Sequence, residues 1–165
     1  MEICVIKNKD EAAEMIAFLL CDGLFATPLT PGEERVIRSD PYANLEGHPS
    51  AYWIGRGQDG RISAAIGIRE HANYTGIYEM PCIAVAADDR RRGVGKMMLE
   101  KALCHIMTVG GRGMLVDTSD HPAYVPMQKL LEQCRFTRVG HIPEFYYPGE
   151  GTFLYYRPLE TKGNG

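Results

Sequence analysis

What this sequence lacks removes several classes of function. Cysteines are few and scattered: Cys4, Cys21, Cys82, Cys104 and Cys134 are odd in number and never form a C-x-x-C pair. That disfavours a disulfide framework or a zinc site and fits a reducing compartment. No apolar run approaches the ~20 residues that cross a bilayer. The first residues carry no basic stretch followed by an apolar one, so no secretory signal is expected. Positive charge is in deficit, with 18 Lys and Arg against 21 Asp and Glu for a net charge of −3. The chain therefore has no global field for nucleic acid, and any phosphate site must be local. The five histidines, His48, His71, His105, His121 and His141, show neither H-x-x-x-H nor H-E-x-x-H spacing, so no metal is expected. No G-x-S-x-G elbow is present, which argues against a serine hydrolase. The expectation is a cytoplasmic protein with no membrane and no nucleic-acid partner.

What is present is a chain of 165 residues, 45% apolar and 24% charged, values that exclude a disordered or collagenous chain. One domain is expected, covering 1–159, with a polar tail at 160–165. Glu2 to Lys7 reads as a strand. Asn8 with Glu11 three residues later is a capping box, and Ala12, Met15, Ile16 and Leu19 follow at helical spacing. Residues 27 to 50 hold four prolines among polar residues and read as loop with at most one short helix. Strands are expected at Ala51–Gly55 and Ile62–Ile68, joined by a turn at Asp59-Gly60. A more buried strand is expected at Gly76–Val85. Val94, Met98, Leu99, Ala102, Leu103 and Ile106 then make an apolar helical face that ends at Gly110-Gly111. Met114–Thr118 is a strand. Met127, Leu130, Leu131 and Cys134 mark another helix, with Pro126 suited to its first turn. Phe136–His141 and Thr152–Arg157 complete the set. The fold class is α/β: a mixed sheet with helices packed on it.

The informative segment is Ile83-Ala84-Val85-Ala86-Ala87-Asp88-Asp89-Arg90-Arg91-Arg92-Gly93-Val94-Gly95-Lys96. A buried strand enters a basic loop bearing glycines, and the loop enters an amphipathic helix. The first amides of a helix have no internal acceptor, and the helix dipole adds about half a positive charge there. Together they suit an anion, most often a phosphate. A P-loop is excluded, because Arg90 stands at its first glycine and Met97 at its Ser or Thr. The dinucleotide fingerprint is excluded because Met98 replaces its third glycine.

Arg90, Gly93 and Gly95 do fit R-x-x-G-x-G. With the strand end before it and Arg135-Phe136 closing a later helix, the segment resembles the acetyl-CoA signature of the GNAT superfamily of N-acetyltransferases. The resemblance implies the GNAT acyl-CoA N-acyltransferase fold, a central, mostly antiparallel mixed sheet flanked by helices. It implies an N-acetyltransferase that moves acetyl from acetyl-CoA, a co-substrate, to a primary amine of a small molecule or peptide by direct transfer. It implies pantetheine pairing at Ile83, Ala84 and Val85, and cofactor contacts at Arg90, Arg91, Arg92, Gly93, Val94, Gly95, Lys96 and Tyr124. Family members also form dimers, so a homodimer is compatible with it.

The remaining site residues leave alternatives open. Glu79, six residues before Val85, stands where some relatives place a general base; an edge glutamate facing water or an arginine is the plainer reading. Pro81 cannot donate to a ladder and suggests a bulge or a gap in strand pairing beside Glu79. Many relatives carry a tyrosine, the acid for the leaving thiolate, where this chain has Leu131, and a glycine where it has Arg135. Tyr124, Tyr146 and Tyr147 are alternative proton donors. Otherwise the thiolate leaves unaided or takes a proton from water. A third alternative is a CoA-binding sensor without catalysis, and a longer acyl-CoA is a further option. The segment His141–Gly149 reads as a loop joining the last two strands, with Tyr146 and Tyr147 as acceptor contacts. Trp53 and residues 27–50 are further acceptor candidates.

Overall fold

A computed structural model describes residues 1–160; residues 161–165, the greater part of the expected polar tail, lie outside the described residues. The chain forms two compact units. One comprises Met1–Arg69 with Pro81–Ala102. The other comprises Glu70–Met80 with the chain from Leu103 onward. Among the described residues, seven strands order as β1-β2-β3-β4-β5-β7-β6 in a mixed sheet, accompanied by four α-helices. Among the described residues, no helix is long and apolar enough to cross a membrane.

In the first unit, β1 (Glu2–Val5) pairs antiparallel with β2 (Ser50–Arg56), and β2 with β3 (Ile62–Glu70). Helix α1 (Lys9–Leu19) begins at the expected cap, with the Asn8 side chain accepting from the Glu11 amide at 2.9 Å, but the Glu11 carboxylate accepts from the Lys7 amide at 2.7 Å, so the reciprocal half of the box is displaced by one residue. Its Ala12, Met15 and Leu19 are fully buried. The Tyr52 ring lies flat over Gly67, where an added Cβ would stand 2.1 Å from the ring. Below it, Asp40 takes the Tyr52 hydroxyl at 3.3 Å and the Arg69 guanidinium at 3.0 Å. Burial pushes the Tyr52 phenol upward and keeps it neutral.

One expectation fails here. Residues 31–45 form a long helix, α2 (Pro31–Leu45), rather than loop. The proline count misleads because Pro31 occupies the first turn, where a missing N–H costs nothing. Thr30 and Glu33 close a reciprocal capping box, 3.2 and 2.7 Å, typically worth about 1 kcal/mol. Pro41 lies inside the helix, but it is buried with Ile37, and that burial offsets its lost hydrogen bond.

In the second unit, the start of β4 (Ile77–Val85) pairs in parallel with β5 (Gly113–Ser119), Glu79 lying in register with Leu115. β4 and β5 are joined by α3 (Val94–Thr108), the crossover that parallel pairing requires. β5 pairs antiparallel with β7 (Glu150–Pro158), and β7 with β6 (Thr137–Tyr147). The second correction falls here: the segment expected as a loop from His141 is strand as far as Tyr147, so only Pro148 and Gly149 turn. The register shifts after Arg138 and after Ile142, and the second irregularity accommodates Pro143. α4 (Val125–Gln133) ends in a Schellman motif. The Phe136 amide reaches the Leu131 carbonyl at 3.0 Å and the Arg135 amide reaches that of Glu132 at 2.9 Å.

Candidate functional site

The loop between β4 and α3 is built almost wholly from backbone. The Ala86 amide bonds to the Ser63 carbonyl at 2.7 Å, and a single 3-10 turn, Ala87–Asp89, follows. Arg90 is extended, Arg91 is left-handed with φ 64°, and Gly93 is left-handed with φ 80°. The space beyond Gly93 is open, so its backbone angle, not crowding, calls for glycine. Left-handed residues alternating with ordinary ones turn successive amides inward, the backbone form of an anion cradle. A non-glycine residue in this conformation costs on the order of 1–2 kcal/mol, and such strain gathers at functional sites.

The cradle opens directly onto α3. The Met97 amide makes the first helical bond, to the Gly93 carbonyl at 3.0 Å. The amides of Val94, Gly95 and Lys96 precede it and have no acceptor within the helix. α1 and α2 satisfy such amides with Asn8 and Thr30 and place acids in the first turn; the first turn of α3 has no acid. Its positive end is left for an external anion. Val94, Met98, Leu99 and Ala102 are buried and anchor the helix. Arg91, Arg92 and Lys96 are exposed. Arg92 lies 3.4 Å from Asp89 and Lys96 3.8 Å from Glu100, exposed pairs that contribute little.

Arg90 behaves differently from its neighbours. Its Nε donates to the Val85 carbonyl at 2.9 Å and its Nη2 to the Leu24 carbonyl at 2.7 Å. Along β4, exposure alternates strictly. Tyr78, Met80, Cys82 and Ala84 are buried, while Glu79, Pro81, Ile83 and Val85 share the partly open face. β4 runs through Pro81 as a continuous strand, while its pairing with β5 stops at Glu79–Leu115, the gap in pairing expected beside Glu79. Burial pushes the Cys82 thiol up to about 12, too high for a thiolate nucleophile near neutral pH.

In the second unit Glu79 is about one third exposed, and its Oε1 lies 3.6 Å from Nε2 of His71. His71 Nδ1 accepts the Asn73 amide at 3.2 Å, which places the proton of a neutral ring on Nε2, facing the carboxylate. The sequence offered no spacing signal for His71, because the contact comes from the turn between β3 and β4. Asp117, on β5 two residues beyond the register partner of Glu79, shares its sheet face. The Tyr146 hydroxyl donates to Asp117 Oδ2 at 2.6 Å, so this tyrosine is brought to the same face as Glu79. Tyr147 pairs with Glu150 at the end of the last hairpin. Tyr124 closes a 3-10 turn at the start of α4. Leu131 is fully buried and has no proton to give, and Arg135 takes the left-handed position with φ 63°. Trp53 is only 3% exposed in β2. Among the described residues, no group of three His, Cys, Asp or Glu could hold a metal ion.

The family model for the acetyltransferase (GNAT) family matches residues 13–136. A GNAT-family acetyltransferase from Staphylococcus aureus Mu50 superposes with a TM-score of 0.76 at 18% identity, over 96% of this chain and 100% of that one. The ribosomal-protein-S18-alanine N-acetyltransferase of Escherichia coli gives 0.74 at 18%, over 99% and 97%. An aminoglycoside 6'-N-acetyltransferase in complex with coenzyme A gives 0.74 at 12%, over 99% and 100%. A search of curated proteins finds no significant sequence match.

Proposed function

Because the chain belongs to the GNAT family of acetyltransferases, we propose that it transfers acetyl from acetyl-CoA to a primary amine of a small molecule or peptide. One observation carries the reading: the strained, acid-free loop from Arg91 to Lys96, whose amides open at the start of α3. The diphosphate of acetyl-CoA is the anion this cradle suits, with Arg91, Arg92 and Lys96 supplying the charge. Ile83 and Val85, on the open face of β4, are the strand-end positions for the pantetheine arm.

Glu79 is the general base in this reading. A protonated amine has no lone pair, so it must lose a proton before it attacks. Glu79 takes that proton, the amine nitrogen bonds to the thioester carbon, and the carbon–sulfur bond breaks to release the CoA thiolate. Tyr146 is the tyrosine candidate favoured for returning a proton, since its hydroxyl bonds to Asp117, which shares the sheet face with Glu79. The high Cys82 thiol supports direct transfer without an acyl-cysteine intermediate. Structural neighbours act on very different amines, an aminoglycoside and a ribosomal protein, so the acceptor is sought by assay.

A panel of amines with acetyl-CoA, followed by thiol release, tests this reading. Saturable release dependent on both an amine and acetyl-CoA is expected. The buried Leu131 favours a second reading, a CoA-binding sensor. Saturable CoA binding with no turnover on any amine would select it. Replacing acetyl-CoA with longer acyl donors in the same assay fixes the chain length.

A further inference from the structure

We propose that Arg90 is a positioning residue that couples the diphosphate loop to the connection between α1 and α2. Its place at the head of R-x-x-G-x-G suggests a phosphate ligand, but the guanidinium is turned away from that task. Two of its five N–H donors are committed to backbone carbonyls: Nε to Val85 at 2.9 Å and Nη2 to Leu24 at 2.7 Å. Both are charge-assisted bonds of good length, the stronger kind. The two carbonyls belong to elements far apart in sequence, the end of β4 and residues 20–30.

Those residues run from the C-cap of α1, Leu20, to the N-cap of α2, Thr30. Leu24 is buried in one cluster with Cys82 and Ala84 of β4, and Phe25 and Leu29 pack against that cluster. The connection is thus held at its side chains by β4 and at its Leu24 carbonyl by Arg90. Arg90 immediately precedes the left-handed Arg91. Whatever fixes Arg91 to Lys96 therefore fixes the root of the Arg90 side chain, and through it Leu24. Coupling of this kind is reciprocal: an anion in the cradle orders residues 20–30, and ordering those residues favours the loaded cradle. Lysine has no planar fork to span two divergent carbonyls, so it cannot replace this arginine.

The inference rests on the acetyl-CoA reading of the loop, and the experiment separates the two. Hydrogen exchange is followed on the full chain with and without saturating coenzyme A, for wild type, Arg90→Lys and Arg90→Met, beside titrations of affinity against salt. In wild type, coenzyme A should slow exchange across residues 20–30 by about fivefold or more. In both variants that slowing should vanish while coenzyme A still binds, and the salt dependence of its affinity should match wild type. Arg92→Met should flatten the salt dependence, as loss of a phosphate contact does. Binding to wild type without protection of residues 20–30 overturns the coupling and leaves the functional reading standing. So does protection that persists in Arg90→Met, or a flattened salt dependence in that variant. If coenzyme A does not bind wild type at all, both fall.

Discussion

Arg91 and Arg135 stand at almost the same backbone angle, φ 64° and 63°, in two regions that use it in opposite ways. At the end of α4 the turn serves the chain itself. The left-handed residue lets the Arg135 and Phe136 amides close back onto Glu132 and Leu131, and the last carbonyls of the helix are satisfied. In the loop after β4, the left-handed residues lead into the unsatisfied amides of Val94, Gly95 and Lys96. The same local cost closes one helix and leaves another open. Strain therefore marks a functional site only when the groups it exposes have no partner inside the fold.

The comparison breaks if changes in the two regions have similar consequences. The largest effect is expected at neither: Glu79→Gln should lower kcat/KM by ~100-fold or more, within the range for loss of a general base. The deficit should be greatest at low pH and shrink as pH rises toward the amine pKa, where free amine no longer limits. A pH–rate profile on the best acceptor from the panel checks it. Next is the loop. Arg92→Glu should weaken coenzyme A by ~10-fold or more in a calorimetric titration, since it removes one charged contact and adds repulsion. Its thermal midpoint should hardly move, because the Arg92–Asp89 pair is exposed.

At the end of α4 the pattern should invert. Leu131→Tyr restores the tyrosine found in many relatives, but Leu131 is fully buried. Overpacking should cost about 1–3 kcal/mol in urea unfolding, with no gain in kcat. Arg135→Gly relieves the left-handed strain and should stabilise by about 0.5–1 kcal/mol, leaving affinity for coenzyme A unchanged. The smallest effect is a pH dependence. The His141 ring, with help from the Gly151 amide, holds the Asp120 carboxyl below its usual range. That contribution to stability is complete above the unfolded pKa of about 4 and is lost as pH falls through the lower folded value. Asp120→Asn should therefore be less stable than wild type at pH 7, and the two should converge in strong acid.

The loop was legible in the sequence because its chemistry is local. Glycine at 93, a basic run and an apolar helical stripe from Val94 all lie within one short stretch. α3 and its glycine stop, Gly110 with φ 79°, follow from the same kind of signal. α2 was hidden because four prolines among polar residues read as loop; the Thr30–Glu33 box and the burial of Ile37 and Pro41 emerge only in the fold. The strand character of 141–147 was hidden because its ladder partner, β7, decides it. The setting of Glu79 was half legible. Its place on β4 could be read, but His71, Asp117 and the hold on Tyr146 come from chain segments whose meeting no spacing announces. Arg90 was misleading for a related reason: the motif names the residue, and only the fold shows where its guanidinium points.

The central claim is that the amides from Arg91 to Lys96 grip the diphosphate of coenzyme A, and amide NMR shifts during a coenzyme A titration test it most directly. The account predicts that the largest, saturable shifts fall on Arg91, Arg92, Gly93, Val94, Gly95 and Lys96. Saturable binding that leaves those six amides where they were would contradict it.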